Sequence, residues 1–220
     1  MSMKSNKTKA FIIDLITDVV IVVILVIVIR QFVYAPFRVD GPSMCNSFNM
    51  YEGECFDGRG EFILTSRFPT WGIFGFSLSD VDRGDVIVFQ APYAEEKVYY
   101  IKRVIGLPGD TIKIEQGLVY IMDDAGNFIE IDENYLNEDN AGNTNPYHRV
   151  EAIYEVPEDE YFVLGDNRQV SSDSRRCFQS SGCEDNSSHF LDDDLIEGKV
   201  KMVIFPLTHI RWIGEHDYSL

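Results

Sequence analysis

The feature that most constrains the fold is an apolar stretch, Tyr100–Asp110 (YIKRVIGLPGD), which contains two adjacent cations and ends in a Leu-Pro-Gly-Asp turn. Its apolar residues predict a buried β-strand. Neighbouring side chains on a strand point to opposite faces, so we expect Lys102 or Arg103 to point into the protein. Burial lowers the pKa of a lysine, whereas arginine stays charged. Lys102 is therefore the candidate for a neutral amine that acts as a general base.

Two other stretches contain groups that such a base could serve. Ser43 lies in Val39–Met44 (VDGPSM), in a Gly-Pro turn where a loop presents its hydroxyl. Further along, an apolar strand leads into a dense polar loop, Gly165–Arg175 (GDNRQVSSDSR). The candidate polar residues of that loop are Asp166, Ser171, Asp173 and Arg175. Ser43 is the hydroxyl that Lys102 would deprotonate.

With these three stretches in this order, the chain resembles the bacterial type I signal peptidases. Members of that family are membrane-anchored endopeptidases that cut signal peptides from exported proteins with a serine nucleophile and a lysine base. The resemblance covers the N-terminal anchor and the three motifs at family-like spacing. Each motif alone is a weak signal, but three in order argue against a chance match.

The resemblance assigns a role to each candidate residue. It implies that Ser43 is the nucleophile and that Lys102 is the base, which later protonates the leaving amine. It also implies that Ser171 hydrogen-bonds and orients the Lys102 amine. The supporting polar network would consist of Asp166, Asp173 and Arg175. The backbone N–H of Ser43 is the expected oxyanion donor, and Gly41 stands where some relatives place a serine that adds a second donor.

The N-terminal part contains the one long apolar segment, Phe11–Tyr34. A helix of this length spans about 36 Å at ~1.5 Å per residue, enough to cross a bilayer core of ~30 Å. The charge-free run, Val19–Ile29, would by itself also suit a buried helix or a signal-peptide core. No small-x-small cleavage site follows, which disfavours removal. We expect a cytoplasmic tail over residues 1–10, a single transmembrane helix over 11–34 and an extracytoplasmic catalytic domain over 35–220, at the cell membrane.

The four cysteines all follow the apolar segment, which agrees with an oxidising compartment outside the cytoplasm. None has the spacing of a zinc site, so no metal is expected. Four cysteines allow three pairings, or four free thiols. We expect Cys45–Cys55 and Cys177–Cys183. The first bridge would stiffen the loop after Ser43, where many relatives have Met-x-Pro-Thr and this chain reads Met44-Cys45-Asn46-Ser47.

The soluble part is predicted to be mostly β, because short apolar strands alternate with turn residues and no helical period follows the apolar segment. By resemblance it forms a signal-peptidase-like antiparallel β fold, with a small variable β insert at about residues 113–155. The aromatic stretch Trp71–Phe76 is interpreted either as a core strand or pocket wall, or as an apolar rim that touches the lipid bilayer.

The net charge of −17 disfavours nucleic-acid binding, which needs a basic face. No cofactor is implied, and we expect a monomer. The substrates implied are secretory preproteins, cut after small residues one and three positions before the bond. Two alternatives stay open: a non-catalytic membrane-tethered β module that binds a partner, and a self-cleaving Ser/Lys protease. Four histidines, expected to be structural, lie far from the motifs: His148, His189, His209 and His216.

Overall fold

The computed structural model describes residues 2–32, 34–67, 81–147, 151–214, 216 and 218, and in helix α1 it describes the side chains of residues 11–27. Trp71–Phe76 and His148 lie outside this range. Within it, α1 (Ser2–Phe32) precedes the strands β1 (Tyr34–Asp40), β2 (Met50–Tyr51), β3 (Glu54–Cys55), β4 (Arg59–Arg67), β5 (Val86–Gln90), β6 (Tyr99–Gly106), β7 (Thr111–Glu115), β8 (Leu118–Met122), β9 (Phe128–Glu130), β10 (Glu151–Glu155), β11 (Glu160–Leu164), β12 (Leu191–Asp192), β13 (Ile196–Phe205) and β14 (Arg211–Trp212).

The strands form two main sheets and one hairpin. The larger sheet has eight strands in the order β1-β4-β13-β5-β6-β11-β12, with β14 paired to β13. The smaller sheet has four strands in the order β10-β7-β8-β9, and β2 pairs with β3. All of these pairings are antiparallel. The prediction of a mostly β, antiparallel chain is therefore confirmed.

The two sheets differ in how their residues are buried. In β7 every second residue is buried, which places Ile112 and Ile114 in the core and Lys113 towards solvent. In β5, four consecutive residues are buried, and β6 is buried from Ile101 to its end. The centre of the larger sheet therefore has core on both faces, and both cations of β6 are buried, with Lys102 3% and Arg103 4% exposed.

The N-terminal segment departs from its prediction. The helix begins at Ser2, so residues 2–10, which were predicted as a cytoplasmic tail, belong to the same helix as the apolar segment. At its other end, Tyr34 already pairs with Ser66 in β4, because the backbone there extends into β1. Among the described residues, no helix combines the length and apolarity that crossing a bilayer requires. The transmembrane helix predicted over residues 11–34 is thus not confirmed.

Candidate functional site

Ser43 and Lys102 are brought together from two elements that lie far apart in the chain. Ser43 lies in the loop after β1, and Lys102 lies in the middle of β6. The Lys102 Nζ donates a hydrogen bond of 2.8 Å to the Ser43 Oγ and another of 2.8 Å to the carbonyl of Ile101. The amine thus has a neutral hydroxyl and a carbonyl as partners, and no ion pair with a carboxylate of the described chain.

The protonation of Lys102 is shifted by its surroundings. Burial lowers the pKa of this amine to about 8, against an ordinary value of 10.5. The charges of Asp173 and Asp166 raise the pKa, and the charge of Arg175 lowers it, but desolvation is the largest effect. A substantial fraction of Lys102 is therefore a neutral amine near pH 8, able to accept the proton of the hydroxyl it touches.

A cleft of about 250 Å³ opens beside this pair. Its walls come mainly from β1 and β6, which are not neighbours in the strand order of the larger sheet. The ring of Phe37 in β1 lies 5.1 Å from the ring of Tyr99 in β6. The apolar residues that line the cleft are Phe37, Val39, Ile63, Val88, Tyr99, Tyr100, Ile101 and Val170. Ser43 and Lys102 also line the cleft, so an extended chain lying in it would meet both.

The loop that carries Ser43 is held from both sides. Gly41, at its start, adopts a φ of +81°, which favours glycine. The backbone N–H of Asn167 donates to the carbonyl of Ser43 over 3.1 Å, which ties the loop to the Gly-Asp-Asn motif. Both predicted disulfides are confirmed: Cys45–Cys55 with a Cα separation of 5.6 Å and Cys177–Cys183 with 5.0 Å. The first bridge closes the loop just after Ser43.

Asp166 has a partner that the sequence analysis did not identify. Arg103 donates to it from Nε over 2.9 Å and from a terminal nitrogen over 2.8 Å, and both side chains are buried. The Ser47 hydroxyl adds a third hydrogen bond to Asp166 at 2.5 Å. Asp166 therefore does not join Asp173 and Arg175 in one network. It pairs with Arg103, on the opposite face of β6 from Lys102. The available signal was Arg103 itself, because a buried guanidinium requires a carboxylate.

Asp173 and Arg175, two members of the expected polar network, form a charge-assisted pair. Arg175 donates to Asp173 from Nε over 2.9 Å and from a terminal nitrogen over 2.8 Å. Asp173 also accepts from the backbone N–H of Gly165 over 3.0 Å. Burial raises the pKa of Asp173, but Arg175 and these hydrogen bonds outweigh it and hold the pKa below its usual value. Asp173 thus stays charged and fixes the start of the polar loop.

Ser171 does not make the hydrogen bond to Lys102 that the resemblance implies. Its Oγ is buried and has no hydrogen-bond partner of ordinary geometry among the described groups, although it lies near enough to Asp173 to help lower that pKa. The Lys102 amine donates instead to Ser43 and Ile101. Ser171 packs against Gly165, where an added Cβ would lie 2.2 Å from the Ser171 Oγ and 2.6 Å from the carbonyl oxygen of Ser43.

A second carboxylate holds the far end of the serine loop, and the sequence analysis missed it. Glu61 is fully buried in β4 and accepts from Arg211 over 2.7 and 2.9 Å, from His209 over 3.1 Å and from the backbone N–H of Asn49 over 3.0 Å. Arg211 also donates to the carbonyl of Ser47 over 2.5 Å. Only a lone acid at the start of the apolar run EFILT could have pointed to Glu61.

Groups that could ligate a metal lie elsewhere. In the described chain, Cys177, Cys183 and His189 bring ligand atoms within 4.8 Å of one another, as do the exposed Asp192, Asp193 and Asp194. Both sulfurs of the first group are joined in a disulfide, so they offer no thiolate. Neither group hydrogen-bonds to Ser43 or Lys102.

Comparisons with known proteins place these motifs in context. The family model described as signal peptidase, peptidase S26, matches residues 12–205. Signal peptidase I of Bacillus licheniformis is 30% identical over 219 residues, which cover 94% of this chain and 96% of that protein. Signal peptidase I S of Bacillus subtilis (strain 168) is 31% identical over 215 residues, covering 96% and 98%. A crystal structure of a signal peptidase I from Enterococcus faecalis V583 is 27% identical and covers 55% of this chain and 97% of that chain, with a TM-score of 0.37.

Proposed function

As a member of the signal peptidase family, peptidase S26, the chain is a serine endopeptidase that removes signal peptides, and we propose that it does so with Ser43 as nucleophile and Lys102 as general base. The observation that carries this proposal is the 2.8 Å hydrogen bond between the buried amine and the hydroxyl. A non-catalytic binding module would have no use for an amine whose charge is suppressed by burial.

The neutral Lys102 amine takes the proton of Ser43 as the Oγ attacks the carbonyl carbon of the scissile peptide bond. The N–H of Ser43 donates to the oxyanion that forms. The Lys102 ammonium then gives its proton to the leaving amine, and an acyl-enzyme remains on Ser43. The Lys102 amine next deprotonates a water molecule, which attacks the ester carbonyl. As the acid product leaves, the Lys102 ammonium returns the proton to the Ser43 Oγ.

The supporting residues act on the position of this pair. Asp173 and Arg175 fix the polar loop without contacting the amine, so they leave it free to lose its charge. Asp166 does the same for the serine loop through Ser47. Ser171 is a positioning residue for Ser43, since Gly165 lies close to both the Ser171 side chain and the carbonyl of Ser43.

The substrate is an extended segment of a preprotein, seated in the cleft between β1 and β6 and cut after small residues one and three positions before the bond. The apolar lining of the cleft, in which the rings of Phe37 and Tyr99 are in contact, suits small apolar side chains. We place the chain at the cell membrane as a monomer, with residues 35–220 as the extracytoplasmic catalytic domain. Support for lipid contact is the exposed apolar surface of helix α1, where Phe11 is 68% and Leu25 52% exposed.

The test is cleavage of a preprotein with an Ala-x-Ala site by the full chain in detergent. We expect Ser43→Ala and Lys102→Met to abolish cleavage, while Lys201→Met, which removes a half-buried lysine of β13, leaves it unchanged. A mass increase that Ser43→Ala prevents would identify the acyl-enzyme. A folded wild-type protein that binds several preproteins without cutting them would support the binding module. Cleavage confined to the chain itself would support the self-cleaving protease.

A further inference from the structure

A second cavity, of about 240 Å³, lies behind one wall of the cleft. The wall is the segment 170–172, whose side chains alternate. Val170 and Ser172 line the cleft, whereas Ser171 lines the second cavity. We call this space the arginine cavity, because Arg168, Arg175 and Arg176 all line it. It is thus separate from the space beside Ser43 but shares a wall with it.

The arginine cavity has one positive charge more than its ion pairs neutralise. Arg168 pairs with Glu133 at 2.5 Å, and Arg175 pairs with Asp173 at 2.8 Å. Arg176 has no ion pair with a carboxylate of the described chain. Its guanidinium lies 4.5 Å from the centroid of the Tyr147 ring and donates to the carbonyl of Ser180. In a chain with a net charge of −17, this local surplus of positive charge stands out.

By hydrogen-bond geometry, two buried polar atoms of residues lining the cavity lack partners in the described chain, the Ser171 Oγ and the Arg176 Nε, although the Ser171 Oγ lies close to Asp173. Ser171 is only 1% exposed, so its hydroxyl meets little bulk solvent. A buried donor without an acceptor costs about 1–3 kcal/mol. Both atoms donate, so the group that satisfies them is an acceptor, and beside an unpaired guanidinium the best acceptor is an anion.

We propose that the arginine cavity binds an oxyanion, held by the Ser171 hydroxyl and the Arg176 guanidinium. A carboxylate, a sulfate and a phosphate share this chemistry. The anion comes either from an acidic side chain of the preprotein segment after the scissile bond or from free inorganic anion. Anion binding in the cavity does not depend on the proposed function. Only a preprotein side chain as the source of the anion rests on that function. Either way the anion contacts the back of the wall that holds Val170 and Ser172 in the cleft.

The first experiment measures binding without catalysis. Sodium sulfate is titrated into the full chain at constant ionic strength, and binding is followed by calorimetry and by the thermal unfolding midpoint. We expect saturable stabilisation that Arg176→Gln weakens by at least about tenfold, because a charge-assisted hydrogen bond is lost. Arg176→Lys retains part of it. Lys113→Gln removes the same charge from the smaller sheet, where the ammonium faces Glu115, and should bind sulfate as wild type does.

The second experiment identifies the source of the anion. Two preproteins differ only in Asp or Asn at positions after the cleaved bond. A higher kcat/KM for Asp that disappears in Arg176→Gln assigns the cavity to the substrate; sulfate binding with equal kcat/KM assigns it to free anion. If neither sulfate, phosphate nor Asp has an effect that depends on Arg176 in the folded protein, the proposal is overturned. If neither preprotein is cut, the proposed function fails and the sulfate titration still decides.

Discussion

Lys102 and Arg103 are neighbours on strand β6, and their side chains enter opposite faces of the same sheet. Both are almost fully buried, yet they have opposite partners. Arg103 is bound by a carboxylate, Asp166, whereas Lys102 meets a hydroxyl and a carbonyl. Burial alone lowers the pKa of both groups, but Asp166 reverses this for Arg103, while the pKa of Lys102 falls to about 8. The absence of a direct carboxylate contact is thus what allows one buried cation to become a base.

The largest expected effect comes from replacing Lys102 by a cation that, like Arg103, stays charged. In Lys102→Arg the group near Ser43 stays charged at every accessible pH, so it cannot accept a proton. We expect kcat/KM for preprotein cleavage to fall by about 10²–10⁴-fold, the range of general acid–base catalysis. Activity near the wild-type level in this variant would show that Lys102 contributes its charge and not its basicity.

The role of the Arg103–Asp166 pair is tested by removing Arg103. Arg103→Met leaves Asp166 buried and unpaired, and we expect the free energy of unfolding to drop by about 3–5 kcal/mol in urea titrations. The double variant Arg103→Met with Asp166→Leu should recover most of this loss, because neither position of this buried pair then carries a charge. A single variant as stable as wild type would mean that the pair is replaced by water.

Removing Lys102 should raise the free energy of unfolding, whereas removing Arg103 lowers it. The folded-state pKa of Lys102, about 8, lies below the ordinary value of 10.5, so the wild-type free energy of unfolding rises with pH between these values. Lys102→Met lacks this slope and should be more stable than wild type at pH 7 by about 1–3 kcal/mol. Urea unfolding of both proteins from pH 7 to 10.5 measures the difference. Destabilisation at pH 7 would contradict it.

The smallest effect tests whether the faces are independent. We expect wild-type kcat/KM to fall below pH 8, by about tenfold per pH unit once Lys102 is protonated. Arg103→Lys keeps a charge beside Asp166, so its kcat/KM should fall over the same pH range as that of the wild type. If kcat/KM of that variant falls over a different pH range with the same preprotein, the two faces of β6 are electrostatically coupled.

The sequence predicted the central strands well because their apolar runs are long. Tyr100–Asp110, predicted as a buried strand that ends in a turn, contains most of the observed strand β6 (Tyr99–Gly106). Strand β1 was missed because Tyr34–Asp40 (YAPFRVD) follows the apolar segment directly and contains a proline. Strand β10 (EAIYE) lies within the predicted β insert but was not predicted as a strand of its own, because it is short and follows a long polar stretch.

The site could be predicted only as a set of residues. Ser43, Lys102 and the Asp173–Arg175 pair were identifiable from local motifs. The partner of Asp166 was not, because Arg103 lies 63 residues away and the side of β6 it enters depends on the sheet. The position of the Ser171 hydroxyl likewise depends on how Gly165 packs against Ser43. Motifs define which groups are present, whereas the tertiary fold decides which of them touch.

The helix α1 is followed almost immediately by β1, a strand that lines the cleft. The helix ends at Phe32 and β1 begins at Tyr34, so the first wall of the cleft is a direct extension of the helix. In the described chain β1 is bonded on one side only, to β4. At about 3.3 Å per residue, its seven residues set the reach from helix to serine loop at about 23 Å. Because a single residue separates Phe32 from Tyr34, a surface that binds the helix also limits how far the first wall of the cleft, and with it Ser43, can lie from that surface.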